Sequence, residues 1–211
     1  MAHTAVSLDP PQGGTFASIS RGLTARHLCN VFLRSGRVMK VLVAVSSKHG
    51  ATREIATAIA DHLSSAGHLV MSVDADAETG DLDRFDAFVI GSAIYMGHWT
   101  KEARHFIDEQ KSQLTAKPVW LFSSGPLGDV SDPVKPDSQV EELIALLGPR
   151  GHSVFGGALD KADLSLVERA TVRAVHAKYG DYRQWDEIGA WADEIGETLN
   201  LISTNTMPSI E

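Results

Sequence analysis

From Lys40 onward, short and almost wholly apolar runs alternate with longer segments whose apolar residues recur every three or four positions. That rhythm restricts the fold more than any other feature of the chain. The runs are Lys40–Val45 (KVLVAV), Leu69–Val73, Ala87–Ile90, Pro118–Phe122 and His152–Leu159. Near-continuous apolar strands are those covered on both faces, as in a parallel sheet between layers of helices. Thr52–Ser65, Thr100–Leu114 and Val140–Leu147 lie between them, and Asp163–Lys178 and Trp185–Ile202 follow. In the first helix Ile55, Ala56, Ile59, Ala60 and Leu63 share a face, and Gly67 stands where a helix commonly ends. Strands alternating with helices through right-handed crossovers predict a three-layer α/β fold. The expected sheet has five parallel strands in the order 2-1-3-4-5.

The first 38 residues lack this rhythm. They mix Pro10-Pro11 and Gly13-Gly14 with scattered Ser, Thr and Arg, and carry Arg21, Arg26, Arg34 and Arg37 against a single acid, Asp9. Three readings stay open for them: an over-long gene start, an ordered or disordered extension, or an arginine-rich targeting segment. The expected organisation is therefore an extension over 1–38, one domain over 39–205 and a tail over 206–211. The net charge is −8, so with +3 in the first 38 residues the body carries −11. An acidic body repels phosphate backbones and argues against nucleic acid. Cys29 is the single cysteine, which excludes an internal disulfide and a cysteine-held metal cluster, and a reducing cytoplasm fits. The nine histidines show no metal-ligating spacing beside carboxylates, so no metal site is expected.

In an open parallel sheet, ligands bind beyond the carboxyl ends of the strands, where strand order reverses. The segment after the first strand is Ser46, Ser47, Lys48, His49, Gly50, Ala51 and Thr52. It places hydroxyls at both ends and a glycine at the turn, with a helix N-terminus directly behind. Open amides and the positive dipole end suit a phosphate. The same hydroxyls would also serve a plain helix cap. The Walker spacing and the G-x-G-x-x-G turn are both absent, so a monophosphate is the better match. After the third strand come Gly91, Ser92, Ala93, Ile94, Tyr95, Met96, Gly97, His98 and Trp99. Aromatics, a methionine and glycines at a sheet rim suit a flat ligand, or packing on neighbouring helices. The segment after the fourth strand, Ser123, Ser124, Gly125, Pro126, Leu127, Gly128 and Asp129, is small and rich in backbone donors.

A phosphate cradle, an aromatic loop and a small polar loop meeting at one sheet edge are what flavin mononucleotide (FMN) requires. The arrangement resembles the flavodoxin superfamily, whose phosphate loop reads roughly [ST]-x-[ST]-G-x-[ST]. Ser47–Thr52 match that pattern, with His49 replacing the central hydroxyl. The stretches SSKHGATREI (46–55), VIGSAIYMGHW (89–99), GGAL (156–159) and WDEIGAWADE (185–194) narrow the likeness. They resemble the flavodoxin-type, menaquinone-dependent protoporphyrinogen oxidases. The resemblance implies FMN in the three loops, over Ser46–Thr52, Ser92–Trp99 and Ser124–Asp129. It also implies an insertion between the fifth strand and the last helix that admits quinone and porphyrin, here Asp160–Gln184. That insertion departs from the family in its mixed charges and small apolar residues, where the oxidases are basic and apolar. A helix packed on the body explains it better than a membrane-binding one, leaving at most peripheral membrane contact.

Two functions follow as expectations. One is an FMN-dependent oxidoreductase that passes electrons to a quinone, with a porphyrinogen as a candidate donor and Tyr95 and His98 as candidate catalytic groups. The other is an electron carrier that docks on redox partner proteins by its acidic surface. In either, an acidic surround would disfavour negative charge on the reduced flavin and lower its potential.

Overall fold

Strand β1 (Lys40–Ser46) is an inner strand of the sheet and shows why the chain folds as it does. Val41, Val43 and Val45 point to one face and Leu42 and Ala44 to the other, all of them buried. Side chains alternate along a strand, so an unbroken apolar run needs a helical layer on each side. The structure is a computed structural model that describes residues 37–95, 97–125, 138–161, 164–165, 169 and 179–205. Helix α1 (Ala51–Ser65) leads to β2 (Leu69–Asp74), and a single 3-10 turn at Leu82–Arg84 precedes β3 (Ala87–Tyr95). A two-residue strand β4 (His98–Trp99) folds back on β3 before helices α2 (Lys101–Glu109) and α3 (Lys111–Ala116). Then come β5 (Val119–Ser124), α4 (Ser138–Leu147), β6 (Gly151–Phe155), β7 (Ala158–Leu159), β8 (Gly180–Asp181) and α5 (Trp185–Asn205).

The parallel strands lie in the order β2-β1-β3-β5-β6, and β7 and β8 form a separate antiparallel pair. Counting the parallel strands alone, this is the expected 2-1-3-4-5. One apolar layer joins Val41, Val43 and Val45 to Ile55, Ile59 and Leu63 of α1 and to Ile188, Ala192, Ile195 and Leu199 of α5. The other joins Leu42, Ala44, Phe88 and Ile90 to Phe106 and Ile107 of α2, Leu114 of α3 and Val140 and Leu143 of α4. Between them the two layers bury residues 41–46 of β1, 87–92 of β3 and all of β5.

Three expectations need correction. The third strand runs through Tyr95, so Gly91–Tyr95 is strand rather than loop, and it turns through Gly97 into β4. Ser92 and Ala93 pair with Ser123 and Ser124 of β5, and those ladder bonds hold the small residues in extended form. The helix expected over Thr100–Leu114 is two helices that share Gln110 as a boundary, although neither Gly nor Pro marks the break. The fifth strand ends at Phe155, and Ala158–Leu159 leaves the main sheet to pair with Gly180–Asp181. The helix expected at 163–178 and most of the 1–38 and 206–211 segments lie outside the described residues. Arg37 is described, and its guanidinium bonds Asp86 at 2.8 Å.

Candidate flavin-binding site

Strand β1 ends at Ser46, and α1 begins at Ala51 after four intervening residues. Gly50 makes this possible with φ at +89°, a conformation that side chains with a Cβ rarely adopt. The Glu54 amide donates to the Gly50 carbonyl at 3.0 Å and closes the first helical turn. No side chain caps that turn, so the leading amides keep their hydrogen-bonding capacity and their share of the positive helix end. The Ser47 hydroxyl is buried without a hydrogen-bond partner among the described residues, and the Thr52 side chain lies inside the same turn at 2% exposure.

The neighbouring β3–β4 hairpin is built differently. Ser46, Ser92 and Ser123 stand in one row across β1, β3 and β5, because Ser46 is in register with Ser92 and Ser92 with Ser123. All three are buried and continue the face that carries Ala44, Ile90 and Leu121. Buried hydroxyls need partners, and the Trp99-Thr100 dipeptide supplies them. The Thr100 hydroxyl donates to Ser46 Oγ at 2.7 Å, and the Thr100 amide donates to Ser92 Oγ at 3.1 Å. The Trp99 indole N–H donates to Ser123 Oγ at 2.8 Å, and Ser123 Oγ lies 3.0 Å from His152 Nε2. Burial holds the His152 imidazole below the usual histidine range, because desolvation disfavours its charged form.

Several of the expected ligand contacts therefore have other duties. Trp99 does not present its ring at the rim: it is 1% exposed inside the α2-side core. The Ser46 and Ser92 hydroxyls bond Thr100 beneath the rim, and the Ser124 side chain is buried at the end of β5. Other residues do converge. Lys48 Nζ lies 3.9 Å from the centroid of the Tyr95 ring, which brings the β1–α1 turn against the hairpin. Tyr95 is paired with His98 across the hairpin, and both are exposed. Ala93 and Ile94 are half-buried behind them, and a Cβ built on Gly125 would lie 3.6 Å from Ile94. Met96 and Pro126, Leu127, Gly128 and Asp129 lie outside the described residues.

Arg183 has no counterpart in the sequence reading. Its guanidinium bonds Glu54 in the first turn of α1 at 2.7 Å and Asp181 of β8 at 2.6 Å, and it stacks over Trp185. The hydrogen bond to Asp181 is the main reason the guanidinium is held above its usual range, and the same bond draws the Asp181 carboxyl below the usual aspartate range. Beside this strut opens a cavity of about 620 Å³ whose walls include His49, Ala51, Glu54, Leu159, Tyr179 and Arg183. The β1–α1 turn and the segment that follows β6 thus share one cavity. Thr100, directly ahead of a helical pattern, carried a recognisable N-cap signal; Arg183 and Glu54 are 129 positions apart and carried none.

Among the described residues no helix is long and apolar enough to cross a membrane. A flavodoxin domain model matches residues 42–185. The chain belongs to the flavodoxin domain family. Protoporphyrinogen IX dehydrogenase [quinone] of Escherichia coli strain K12 is 23% identical over 176 residues, which is 74% of this chain and 94% of that protein. Among solved structures, the rubredoxin oxygen:oxidoreductase of Desulfovibrio gigas aligns with a TM-score of 0.54 at 15% identity, covering 77% of this chain and 36% of that one. A short-chain flavodoxin associated with a bacterial microcompartment aligns at 0.51 with 16% identity, covering 77% and 99%. Likenesses at this identity show the fold.

FMN is the cofactor of the family, and this flavodoxin domain fits its charged end. Among the described residues, an uncapped helix start, a buried Ser47 hydroxyl without a partner and open space beside Gly50 form a cradle for an anion.

Proposed function

We propose that this domain is an FMN-dependent oxidoreductase of the quinone-linked, protoporphyrinogen-oxidase type. The observation that carries the reading is the uncapped start of α1 with its buried Ser47 hydroxyl, opening beside a cavity walled in part by the segment after β6. In this reading Ser47, Lys48, Gly50, Ala51 and Thr52 hold the phosphate, His49 borders the cavity, and Ala93, Ile94, Tyr95, His98 and Gly125 surround the ring. Bound FMN supplies the redox chemistry; the protein binds, orients and shields it. Lys48 sets a positive charge at the rim of an otherwise acidic body, which opposes the potential-lowering effect of that charge. Tyr95 offers a flat face, and His98, paired with it across the hairpin, adds an imidazole at the same rim.

The similarity to a quinone-dependent dehydrogenase along 94% of its length supports the enzyme reading. A second reading, an electron carrier for redox partner proteins, is favoured by the net charge of −8. Anaerobic reduction of the FMN-loaded protein, followed by rapid mixing with menadione or with protein acceptors, separates the two. Fast reoxidation by the quinone is the expected result, and reoxidation by protein acceptors alone would leave the carrier. If the purified protein stays colourless with added FMN and leaves flavin fluorescence unquenched, both readings fail.

Phosphate placement has its own test. Thr52→Ala should weaken FMN binding by about 1–2 kcal/mol, the scale of one hydrogen bond to a charged group. Riboflavin, which lacks the phosphate, should bind the variant as it binds the wild type. Equal losses for both would mean that this turn shapes the ring site instead.

A further inference from the structure

Beneath the proposed site lies a feature that phosphate and ring contacts do not explain. Three serines occupy consecutive strands at positions where the rows below carry apolar side chains, and they are buried to 8%, 0% and 1% exposure. Burying a hydroxyl is unfavourable unless it is bonded. Here the bonds run through one residue to both halves of the site. Thr100 donates its hydroxyl to Ser46, the stem of the phosphate turn, and its amide to Ser92, the stem of the aromatic hairpin. The same oxygen accepts the Ala103 amide at 3.3 Å and caps α2. Ser92 sends its own proton to the Ala93 carbonyl at 2.9 Å.

Thr100 Oγ1 has one proton, and Ser46 receives it. Ser46 therefore acts as acceptor, and its own proton has no acceptor among the described residues. It sits one residue before Ser47, whose hydroxyl has no hydrogen-bond partner among the described residues. Thr100 thus orients a second donor at the entrance to the turn while anchoring that turn to the hairpin and to α2.

We propose that Thr100 is a positioning residue for the flavin site, holding the phosphate turn and the aromatic hairpin at a fixed separation through Ser46 and Ser92. This rests on the FMN reading given above. Valine at this position keeps the branched shape and loses the hydroxyl, whereas serine keeps the hydroxyl and loses a methyl. Removing the hydroxyl leaves Ser46 without its donor and α2 without its cap, and lets turn and hairpin shift independently.

The test is titration of the apoproteins with FMN, followed by fluorescence quenching. Thr100→Val should raise the Kd about tenfold, the scale of one lost hydrogen bond to a buried group, and alter the visible circular dichroism of the bound flavin. Thr100→Ser should stay within about threefold of the wild type and retain its spectrum. Ile195→Val controls for lost stability alone, because Ile195 packs in the opposite layer, on α5; it too should stay within about threefold. The proposal is overturned if Thr100→Val binds as the wild type does, if serine fails to rescue it, or if Ile195→Val weakens binding as much. Failure of the wild type to bind FMN overturns the functional reading instead, and with it this one.

Discussion

The turn after β1 and the hairpin after β3 leave the same edge of the sheet, and in sequence they look alike. Both are short and rich in glycine and serine, and each contains a basic residue. The structure gives them opposite roles. Ser47–Thr52 runs into a helix start whose first turn no side chain caps, with a buried hydroxyl that has no partner among the described residues. Gly91–Trp99 continues the sheet, turns back on itself, and uses Ser92 and Trp99 to bond neighbouring elements. What separates a ligand cradle from scaffolding is the next element: a helix N-terminus projects donors outward, whereas a paired strand turns them into the ladder.

Glycine substitutions in the two segments should break the comparison most visibly. Gly91 lies in register with Phe122, and the Phe122 ring covers it so closely that a Cβ would come within 2.0 Å of the ring. Phe122 is fully buried among Phe155 and Trp191 and has nowhere to move. Overpacking of this kind costs about 1–3 kcal/mol for a small addition and more for a branched one. Gly91→Val should therefore fail to accumulate as folded protein, read by soluble yield and circular dichroism. Gly50 is the contrast, since a Cβ there meets nothing within 4 Å and only its positive φ is demanding. Gly50→Val should fold with a stability loss of about 1–3 kcal/mol and lose FMN binding. A folded, stable Gly91→Val, or a Gly50→Val that binds FMN as tightly as the wild type, would erase the distinction drawn between the segments.

The same contrast explains what could be read from the sequence. The β1–α1 unit was legible because two independent signals agree: an unbroken apolar run, then Ile55, Ala56, Ile59, Ala60 and Leu63 on one helical face. The strand order followed once the ligand loops were placed, since a parallel sheet binds where its order reverses. The length of β3 was not legible. Gly91, Ser92 and Ala93 have the composition of a loop, and only cross-strand pairing to β5, with Thr100 and Trp99 supplying bonds, makes them strand. The burial of Trp99 is hard to read for a related reason. An aromatic residue beside glycines suits either a ligand or a core, and the choice depends on Ser123, whose hydroxyl lies 24 positions away. The ion pairs of Arg183 with Glu54 and Asp181 were invisible because each charged residue reads alone as solvated surface.

The smallest expected effect sharpens the comparison from the scaffolding side, through pH. Ser123 accepts the Trp99 indole proton, and its Oγ also shares a hydrogen bond with His152 Nε2 at 3.0 Å. Burial favours the neutral imidazole and holds His152 below its usual value of 6.5. His68 is shifted the same way, chiefly by burial. A group whose folded value is depressed binds protons more readily in the unfolded chain, so stability falls as acid is added. The stabilising contribution is complete above about 6.5 and is lost as pH falls through the lower folded value. Asp181 acts in a separate window below 3.8, because its value is depressed from there. Thermal melts at about pH 7.5 and about pH 5.5 should therefore show a lower Tm in the more acidic buffer. His152→Gln should lose less over that interval, by under about 1 kcal/mol, since the imidazole keeps some of its water. FMN affinity at saturating salt should change little between wild type and variant, because His152 bonds the scaffolding row and not the phosphate turn. A variant with the same Tm interval as the wild type would remove His152 from the hydrogen-bonded row. A variant that instead lost FMN would show that the β3–β4 hairpin and its supports belong to the ligand site as fully as the turn after β1 does.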